Sequence, residues 1–539
     1  MKTQTEKRGL FEISRDEVIE VLQGIHLVDE GMLRQMRKSR FLPSNFAALV
    51  FLSLLAACDT DPVEPTEAVS PREYPIVCDD WYSEVEVQTI KFGEELLIKK
   101  KSVVNDPCRT GWSVPGCGTK LGKWTAWQHF TVLAGGGDPS AFIHDWFKTF
   151  YKAGPSVNGQ QLTLRTLAEK TLVGWRLQSG CNADANTPCN LDKTKAPFRL
   201  LAIVNRGDVR TTDPFGYGAP VGEGRFVFNI LKYDPNLPMA EPKKSKANVI
   251  FEYNLPSIWD DPSMDVWEWG NRWHTLSSAP LQLDAEAYKV HLQTKITDVF
   301  ATAANLAQVR TEEIDYDPAG GLNKTWSFRE YERRCPDPIN PFCLNSQKRL
   351  MPRPVTQTPA SAHNLGPTVE TSQFATWFKS LGVVQSVLDG NHVVPLKIGN
   401  VYFRGAESLA SEASNSTNRT LWGVKQLVDN TLDVITVNGE VPYVARHQFG
   451  ATTCNGCHYD ETGTSMMFIR ERDAAFESNL APFLQTSTMA GETHNFTMLG
   501  FEGDEWSYEF NEPRRRACEA LWAMDGNVTP LTRNNGAPH

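Results

Sequence analysis

The placement of eleven cysteines is the feature that most constrains how this chain of 539 residues can fold. Most of them lie in closely spaced pairs whose loops contain proline or glycine. These pairs are Cys108 with Cys117, Cys181 with Cys189, and Cys335 with Cys343. Such pairs can close local disulfides, which persist in oxidising compartments outside the cytosol. We therefore expect three local disulfides. We also expect a long-range disulfide between Cys78 and Cys518, although sequence alone does not fix connectivity.

An export signal precedes all of these pairs. Residues 36–40 are Met-Arg-Lys-Ser-Arg, a basic start, and residues 46–57 form an apolar run too short to span a bilayer as a mature helix. The run ends in Leu55-Ala56-Ala57-Cys58, which resembles a bacterial lipobox. We expect cleavage before Cys58, lipid on its sulfur, and anchoring to the inner or outer membrane of a bacterial cell envelope. The alternative is a plain secretory signal with an accidental cysteine.

The segments on either side of this signal predict little structure. Residues 1–31 mix charges of both signs, unlike a signal peptide, so we expect that they are not part of the native product and that the true start is Met32 or Met36. The signal peptide then covers residues 32–57. Residues 58–73 are acidic and broken by proline, which predicts an extended tether. The folded body is expected to begin near Tyr74.

Length and composition indicate a folded protein of more than one domain. A hydrophobic content of 41% is ordinary for globular proteins, and 539 residues are too many for one small core. We expect an N-terminal α+β domain at 74–330, a second domain or connecting region at 331–445, and a small C-terminal region at 446–539. The formal net charge of −10, without concentrated lysine and arginine, gives no reason to expect nucleic acid as a partner.

Periodicity predicts helices followed by antiparallel strands. Asp138 can cap a helix that has Pro139 in its first turn and an apolar stripe that continues to Tyr151. Three β-like runs follow at residues 198–205, 225–231 and 247–253, and a helical stretch is expected at 267–301. Residues 315–367, rich in Pro, Asn and Gly, are expected to hold a domain boundary. Asn438-Gly439 predicts a tight hairpin within 434–444.

One motif in the chain predicts chemistry. Cys454-Asn455-Gly456-Cys457-His458 is a C-x-x-C-H sequence, the attachment signal for c-type haem. Two thiols at this spacing can both add to the haem vinyl groups, and the adjacent histidine can bind the iron. The alternatives are a disulfide between Cys454 and Cys457, and a zinc site, for which no second ligand pair lies at suitable spacing.

A second iron ligand is harder to choose from sequence. Met489, His494 and Met498 follow the motif at suitable distances, and we favour Met498 as the distal ligand. Met466 and Met467 are expected on a helix that continues from the motif. Taken singly, each of these methionines is more often a core residue than a ligand.

Two resemblances follow from these residues. From Thr453 onward, the chain resembles a class I cytochrome c domain through the C-x-x-C-H motif and a helix expected near 511–513, which implies Cys454 and Cys457 as attachment sites and His458 as the proximal ligand. Residues 120–480 resemble uncharacterised secreted lipoproteins of myxobacteria and related bacteria through residues 196–206, 222–228 and 453–462. That resemblance implies export. The expected fold is α+β, a helical and antiparallel-sheet body with a small, mostly helical, haem c-like C-terminal region.

These observations lead to one functional expectation and two alternatives. We expect a membrane-anchored lipoprotein with one covalently bound c-type haem, which transfers electrons to a redox partner protein and needs no catalytic residues. The first alternative is a cell-surface binding or structural lipoprotein with a Cys454–Cys457 disulfide. The second is a haem enzyme of peroxidase type, which would be expected to show a second haem motif or a distal acid/base pair.

Overall fold

Helices and antiparallel sheets are both present in the described part of the chain, which confirms the expected α+β class. The computed structural model describes residues 82–152, 156–210, 221–233, 237, 239–256, 262–278, 281–283, 285–316, 324–337, 342–355, 377, 383, 386, 395–399, 401–402, 404–411, 458, 466–485, 494–499, 505–510 and 512–527. All of them belong to the unit formed by Pro71–His539.

Twelve strands occur in these ranges. They are β1 Leu97–Ile98, β2 Phe198–Arg206, β3 Glu223–Ile230, β4 Ala247–Asn254, β5 Leu306–Tyr316, β6 Lys324–Arg334, β7 Arg349–Arg353, β8 Lys397–Ile398, β9 Val401–Tyr402, β10 Ser408–Ser411, β11 His494–Leu499 and β12 Glu505–Phe510. The main sheet has eight strands in the order β1-β2-β3-β4-β5-β6-β10, with β7 also paired to β6. The pairs β8-β9 and β11-β12 form two separate two-stranded sheets.

Seven helices of six or more residues carry labels here. They are α1 Glu84–Thr89, α2 Ala126–Ala134, α3 Pro139–Tyr151, α4 Thr166–Gln178, α5 Pro262–His274, α6 Glu286–His291 and α7 Glu512–Met524. Short α-helical turns lie at Lys101–Val104, Pro107–Thr110 and Asp298–Phe300, and π-helical turns at Phe92–Leu96 and Leu292–Thr297. The 3-10 turns are Gly118–Lys120, Lys193–Lys195, Gly207–Val209, Thr275–Ser277, Asn345–Gln347 and Pro482–Leu484. No helix within the described ranges is long and apolar enough to cross a membrane.

Helix α3 begins and ends where its sequence predicts. The Asp138 carboxylate accepts hydrogen bonds from the backbone N–H groups of Ser140 and Ala141, and Pro139 occupies the first turn, where its missing N–H costs nothing. The apolar stripe of the helix is buried, including Trp146. The expectation for this helix is confirmed.

The sheet is covered on both faces because its strands alternate between two sets of side chains. Phe226 and Phe251 lie in the larger core, together with residues of α2, α3 and α4. Val227 and Ile250 point to the opposite face and pack with residues of 468–484 and of α7. Helices therefore lie on both sides, and the second face is covered by segments from the C-terminal part of the chain.

The three β-like runs that the sequence predicts are β2, β3 and β4, paired antiparallel as expected. The helical stretch expected at 267–301 is interrupted, because α5 ends at His274 and α6 begins at Glu286. Residues 315–367 differ more: they contribute the end of β5, all of β6 and all of β7 to the main sheet.

All three local disulfides are present, as predicted, between Cys108 and Cys117, Cys181 and Cys189, and Cys335 and Cys343. Cys518 is also disulfide-bonded. Cys78 lies outside the described residues, so its pairing with Cys518 stays a prediction.

The described part of residues 446–539 is less helical than expected. It contains the hairpin of β11 and β12 as well as α7, which begins at Glu512 as the sequence predicts. The expected hairpin at Asn438-Gly439 lies outside the described residues, as does the expected export signal. The proposed domain limits stay predictions. Strands from both sides of residue 330 nevertheless join the main sheet.

Candidate functional site

The second face of the sheet carries a row of buried charges that the strand register brings together. Arg225 on β3 lies opposite Glu252 on β4, and Arg310 on β5 lies opposite Glu330 on β6. The Glu252 carboxylate accepts from Arg310 at 3.0 Å and lies 3.2 Å from the Nε of Arg225. Arg225 also contacts Glu223 at 2.6 Å. The charges compensate one another in a place where water cannot, as buried ions require.

A second ionic network joins the turn after β2 to helix α7. Asp208 accepts hydrogen bonds from Arg206 at 2.7 and 3.0 Å and from Arg515 at 2.8 Å. Glu512 accepts from Arg515 and from Arg516. Burial alone would raise the pKa of the Asp208 carboxyl, but these arginines hold the pKa well below its usual range. The last helix is thus fixed to the sheet through charged side chains.

His458 lies beside these networks, between aromatic side chains. Its ring stacks on Trp326 with centroids 4.1 Å apart, and Phe468 lies 4.6 Å away. The residue is only 1% exposed. Burial lowers the pKa of its imidazole to about 3, so the ring is neutral at physiological pH.

The backbone of Met466 fixes the tautomer of that ring. The Nδ1–H of His458 donates to the Met466 carbonyl at 2.5 Å, and the Met466 N–H donates to the His458 carbonyl at 3.0 Å. A neutral imidazole that donates through Nδ1 carries its lone pair on Nε2. Metal-ligating histidines commonly have this arrangement, in which a backbone carbonyl orients the ring.

Met466 adopts an uncommon conformation to make these two bonds. Its φ of 73° lies in the left-handed region, which non-glycine residues rarely occupy and which recurs at functional sites. Met466 and Met467 were expected on a helix that continues from the motif, and this is wrong. Residues 466–470 are irregular, and Ile469 makes an isolated bridge with Leu480. A helix could not provide the backbone hydrogen bond between His458 and Met466, because α-helical hydrogen bonds join residues four positions apart.

Glu312 is an acidic group that lies close to the ring. Its Oε2 lies 3.9 Å from the His458 Nδ1, and its Oε1 accepts a hydrogen bond from Asn248 at 2.8 Å. Burial raises the pKa of this carboxyl to about 7. Near neutral pH it therefore carries a proton part of the time, which limits the negative charge beside His458.

A cavity of about 50 Å³ adjoins His458 on the second face of the sheet. Its charged lining consists of Glu312 and three arginines, Arg206, Arg225 and Arg516. Apart from His458, the other residues that line the cavity are apolar. These apolar side chains are Leu97, Val204, Val227, Ile250, Phe468, Ile469 and Leu484. The site thus combines a neutral imidazole, an excess of buried arginine and an apolar wall.

Several residues that the sequence predicts for the site cannot be placed beside His458. Cys454, Cys457 and the lipidation candidate Cys58 lie outside the described residues. Met498, the favoured distal ligand, is on β11 opposite Trp506, and only its backbone is described. The structure therefore places His458 alone of the expected haem-binding set. No cluster of three or more His, Cys, Asp or Glu suited to a metal ion occurs in the described part of the chain.

Sequence reasoning missed the arginines and Glu312. A usable signal was present at Arg225, a charged residue within the largely apolar run at residues 225–231. In a sheet covered on both faces, such residues must be buried and paired. Comparison of the chain with protein-family models, with curated proteins and with solved structures finds no match.

Proposed function

We propose that this chain is an exported, lipid-anchored protein that carries one covalently attached c-type haem and transfers single electrons in the bacterial cell envelope. Cys454 and Cys457 would hold the haem, His458 would bind its iron, and Cys58 would carry the lipid. The observation that carries the proposal is the state of His458. The residue that follows C-x-x-C is a buried, neutral imidazole whose Nδ1–H is tied to a backbone carbonyl.

The haem would supply the reversible one-electron exchange of its iron. The chain's own residues serve to prepare the ligand. Trp326 and Phe468 restrict the orientation of the His458 ring, and their packing excludes water from it. The Met466 carbonyl selects the tautomer. Such partners of a ligand fix its orientation and increase its basicity, which favours binding to iron.

The volume of the cavity beside His458 constrains this proposal. The cavity beside His458 measures about 50 Å³, whereas ligand pockets measure roughly 300 Å³ or more. The donor chemistry of His458 fits a haem, but the cavity alone does not contain one. Attachment of a haem would therefore require additional space next to His458. Detection of covalent haem by absorption would show that this space forms.

A specific observation favours a second candidate function, that of a surface binding lipoprotein with a Cys454–Cys457 disulfide. The three other closely spaced cysteine pairs are all disulfides in the described structure. A disulfide at the motif would leave His458 as a core histidine. The main sheet and its helices would then present a surface to a partner.

An absorption spectrum separates the two candidates. The full chain is expressed for export together with haem-maturation machinery, beside a variant with Cys454→Ala and Cys457→Ala. A matched control with Cys335→Ala and Cys343→Ala also loses one cysteine pair, but far from the motif. We expect a reduced c-type spectrum that survives denaturation in the native chain and in the control, and no such spectrum in the first variant.

Substitution of the proposed iron ligand tests the role of His458. His458→Gln keeps a polar side chain and both thioether sites but removes the imidazole, so the spectrum should shift while haem remains covalently attached. A colourless native protein in which Cys454 and Cys457 are oxidised would rule out the haem and leave the binding lipoprotein.

A further inference from the structure

The cavity beside His458 contains a buried arginine whose hydrogen bonding is incomplete. Arg206 is 1% exposed and donates through Nε and Nη2 to the two carboxylate oxygens of Asp208. Its Nη1 is buried and has no hydrogen-bond partner in the part of the chain that the structure describes. A buried charged donor without an acceptor costs on the order of 1–3 kcal/mol or more. Such a group in a cavity wall indicates a site for an acceptor.

The charges around the cavity favour an anion as that acceptor. Arg225 and Arg516 line the same cavity as Arg206. Burial lowers the pKa of the Arg206 guanidinium, and the positive charge of Arg516 lowers it further although Asp208 opposes this. Each of these arginines is paired with a carboxylate outside the cavity lining, namely Asp208, Glu252 and Glu512. The Nη1 of Arg206 is the donor that still requires an acceptor among the described residues. Glu312, the acidic side chain in the wall, is already held by Asn248.

The size and the apolar wall of the cavity restrict which anion fits. A volume of about 50 Å³ admits a group of a few heavy atoms, since one water requires roughly 10–15 Å³ on the same scale. Val227 and Ile250 border the space with hydrocarbon. A short aliphatic carboxylate matches both parts of the wall, because its head can accept from arginine while its methylenes contact these side chains.

We propose that this cavity binds one short-chain carboxylate group, which accepts a hydrogen bond from the Nη1 of Arg206 beside the charges of Arg225 and Arg516. Two sources present the same chemistry: a free short-chain acid, and a propionate group of the haem proposed above. The site itself does not depend on the haem, since every residue in this argument belongs to the described chain.

The test uses propionate as the probe and calorimetric titration in chloride-free buffer. The haem-free full chain, with Cys454→Ala and Cys457→Ala, is expected to bind one propionate saturably. Arg206→Gln should weaken binding at least about tenfold, since a charge-assisted hydrogen bond is lost. Arg199→Gln is the matched control. Arg199 is also on β2 but donates to the Arg472 carbonyl away from the cavity, so its removal should leave the affinity unchanged.

A second variant keeps the test valid if Arg206→Gln does not fold. Val227→Leu retains every charge and fills the cavity with one additional methylene group. It should abolish propionate binding while circular dichroism shows a folded protein. Folded haem-free protein that shows no saturable binding would overturn the proposal, as would unchanged affinity in both cavity variants.

The same titration of haem-loaded protein separates the two sources. Propionate binding to both forms identifies the site as one for a free acid. Binding to the haem-free form alone identifies the haem propionate as the natural occupant. Both outcomes support the site. A native chain that takes up no haem would contradict the proposed function but leave the haem-free measurement intact.

Discussion

Individual histidines in this protein differ in charge because their surroundings differ. His129 lies in an aromatic box, with its ring centroid 4.3 Å from that of Phe226 and 4.9 Å from that of Phe251. Burial lowers the pKa of its imidazole to about 3. His274 is half exposed, and its hydrogen bond to Glu95 raises its pKa. Position alone thus decides which histidine is protonated near neutral pH.

His129 makes the stability of the fold depend on pH. In the unfolded chain its pKa returns to roughly 6.5, so unfolding takes up a proton below that pH. The stability is fully present above about pH 6.5 and is lost as the pH falls toward 3. At pH 5 the loss should reach about 2 kcal/mol for this residue. We expect His129→Phe to flatten the decrease in unfolding free energy between pH 7 and pH 5, measured by urea denaturation.

The opposite sign at His274 is the control for that measurement. Its raised pKa contributes stability below about pH 6.5, and this stability is lost as the pH rises through the folded value. His274→Gln should therefore make the decrease toward acid pH steeper. If both variants keep the slope of the native protein, the aromatic box does not hold His129 in its neutral form.

At the scale of elements, helix α4 packs closely against Tyr233, which follows β3. A Cβ at Gly174 would overlap the ring of Tyr233, which is buried against the helix. Intrinsic propensity favours alanine over glycine within a helix by about 1 kcal/mol. Overpacking of a buried contact costs about 1–3 kcal/mol. The two effects oppose each other, and the contact should dominate.

We therefore expect Gly174→Ala to destabilise the protein by up to about 2 kcal/mol, the difference between these two effects. Thermal and urea denaturation would both report it. In a Tyr233→Ala background, which removes the Cγ and the rest of the ring, Gly174→Ala should cost less stability than it does in the native chain. An increase in stability on Gly174→Ala would mean that helix propensity outweighs the contact.

Elements with local signals could be predicted from the sequence, whereas the ionic site could not. The cap at Asp138 and the apolar runs of β2 to β4 depend on neighbours within one element. The bond between Arg515 and Asp208 joins residues 307 positions apart, and a local pattern does not specify such a partner. Likewise, the motif indicates His458 as a ligand, but no sequence pattern predicts the hydrogen bond between His458 and Met466.

At the scale of the whole molecule, the pairing of Cys518 connects the cysteine pattern to the proposed function. Haem attachment leaves Cys78 as its expected partner. Mass spectrometry of unreduced peptides from the native protein should therefore identify a Cys78–Cys518 link, which would add on the order of 6 kcal/mol in the chain-entropy model. A link between Cys518 and Cys454 or Cys457 would be incompatible with thioether attachment at that cysteine.

The lipid anchor is a separate whole-molecule prediction. Cys58→Ser should prevent incorporation of labelled fatty acid and move the protein from the membrane fraction to the soluble envelope fraction. Cys78→Ser changes a nearby cysteine outside the expected lipobox and should leave labelling intact. Labelling that persists in Cys58→Ser would exclude this site of lipidation.

Because α7 is synthesised late, a truncated chain lacks its contacts, and the cell could recognise such a chain by the surface left exposed. Asp208 and Arg206 are made early in synthesis, but Arg515 reaches Asp208 only once the last helix exists. A chain that ends before Glu512 leaves the Asp208–Arg206 pair without its third member and uncovers apolar residues of the sheet such as Val227. Proteases act on exposed, loosened segments of this kind. Truncated chains that lack α7 would thus be degraded before they accumulate.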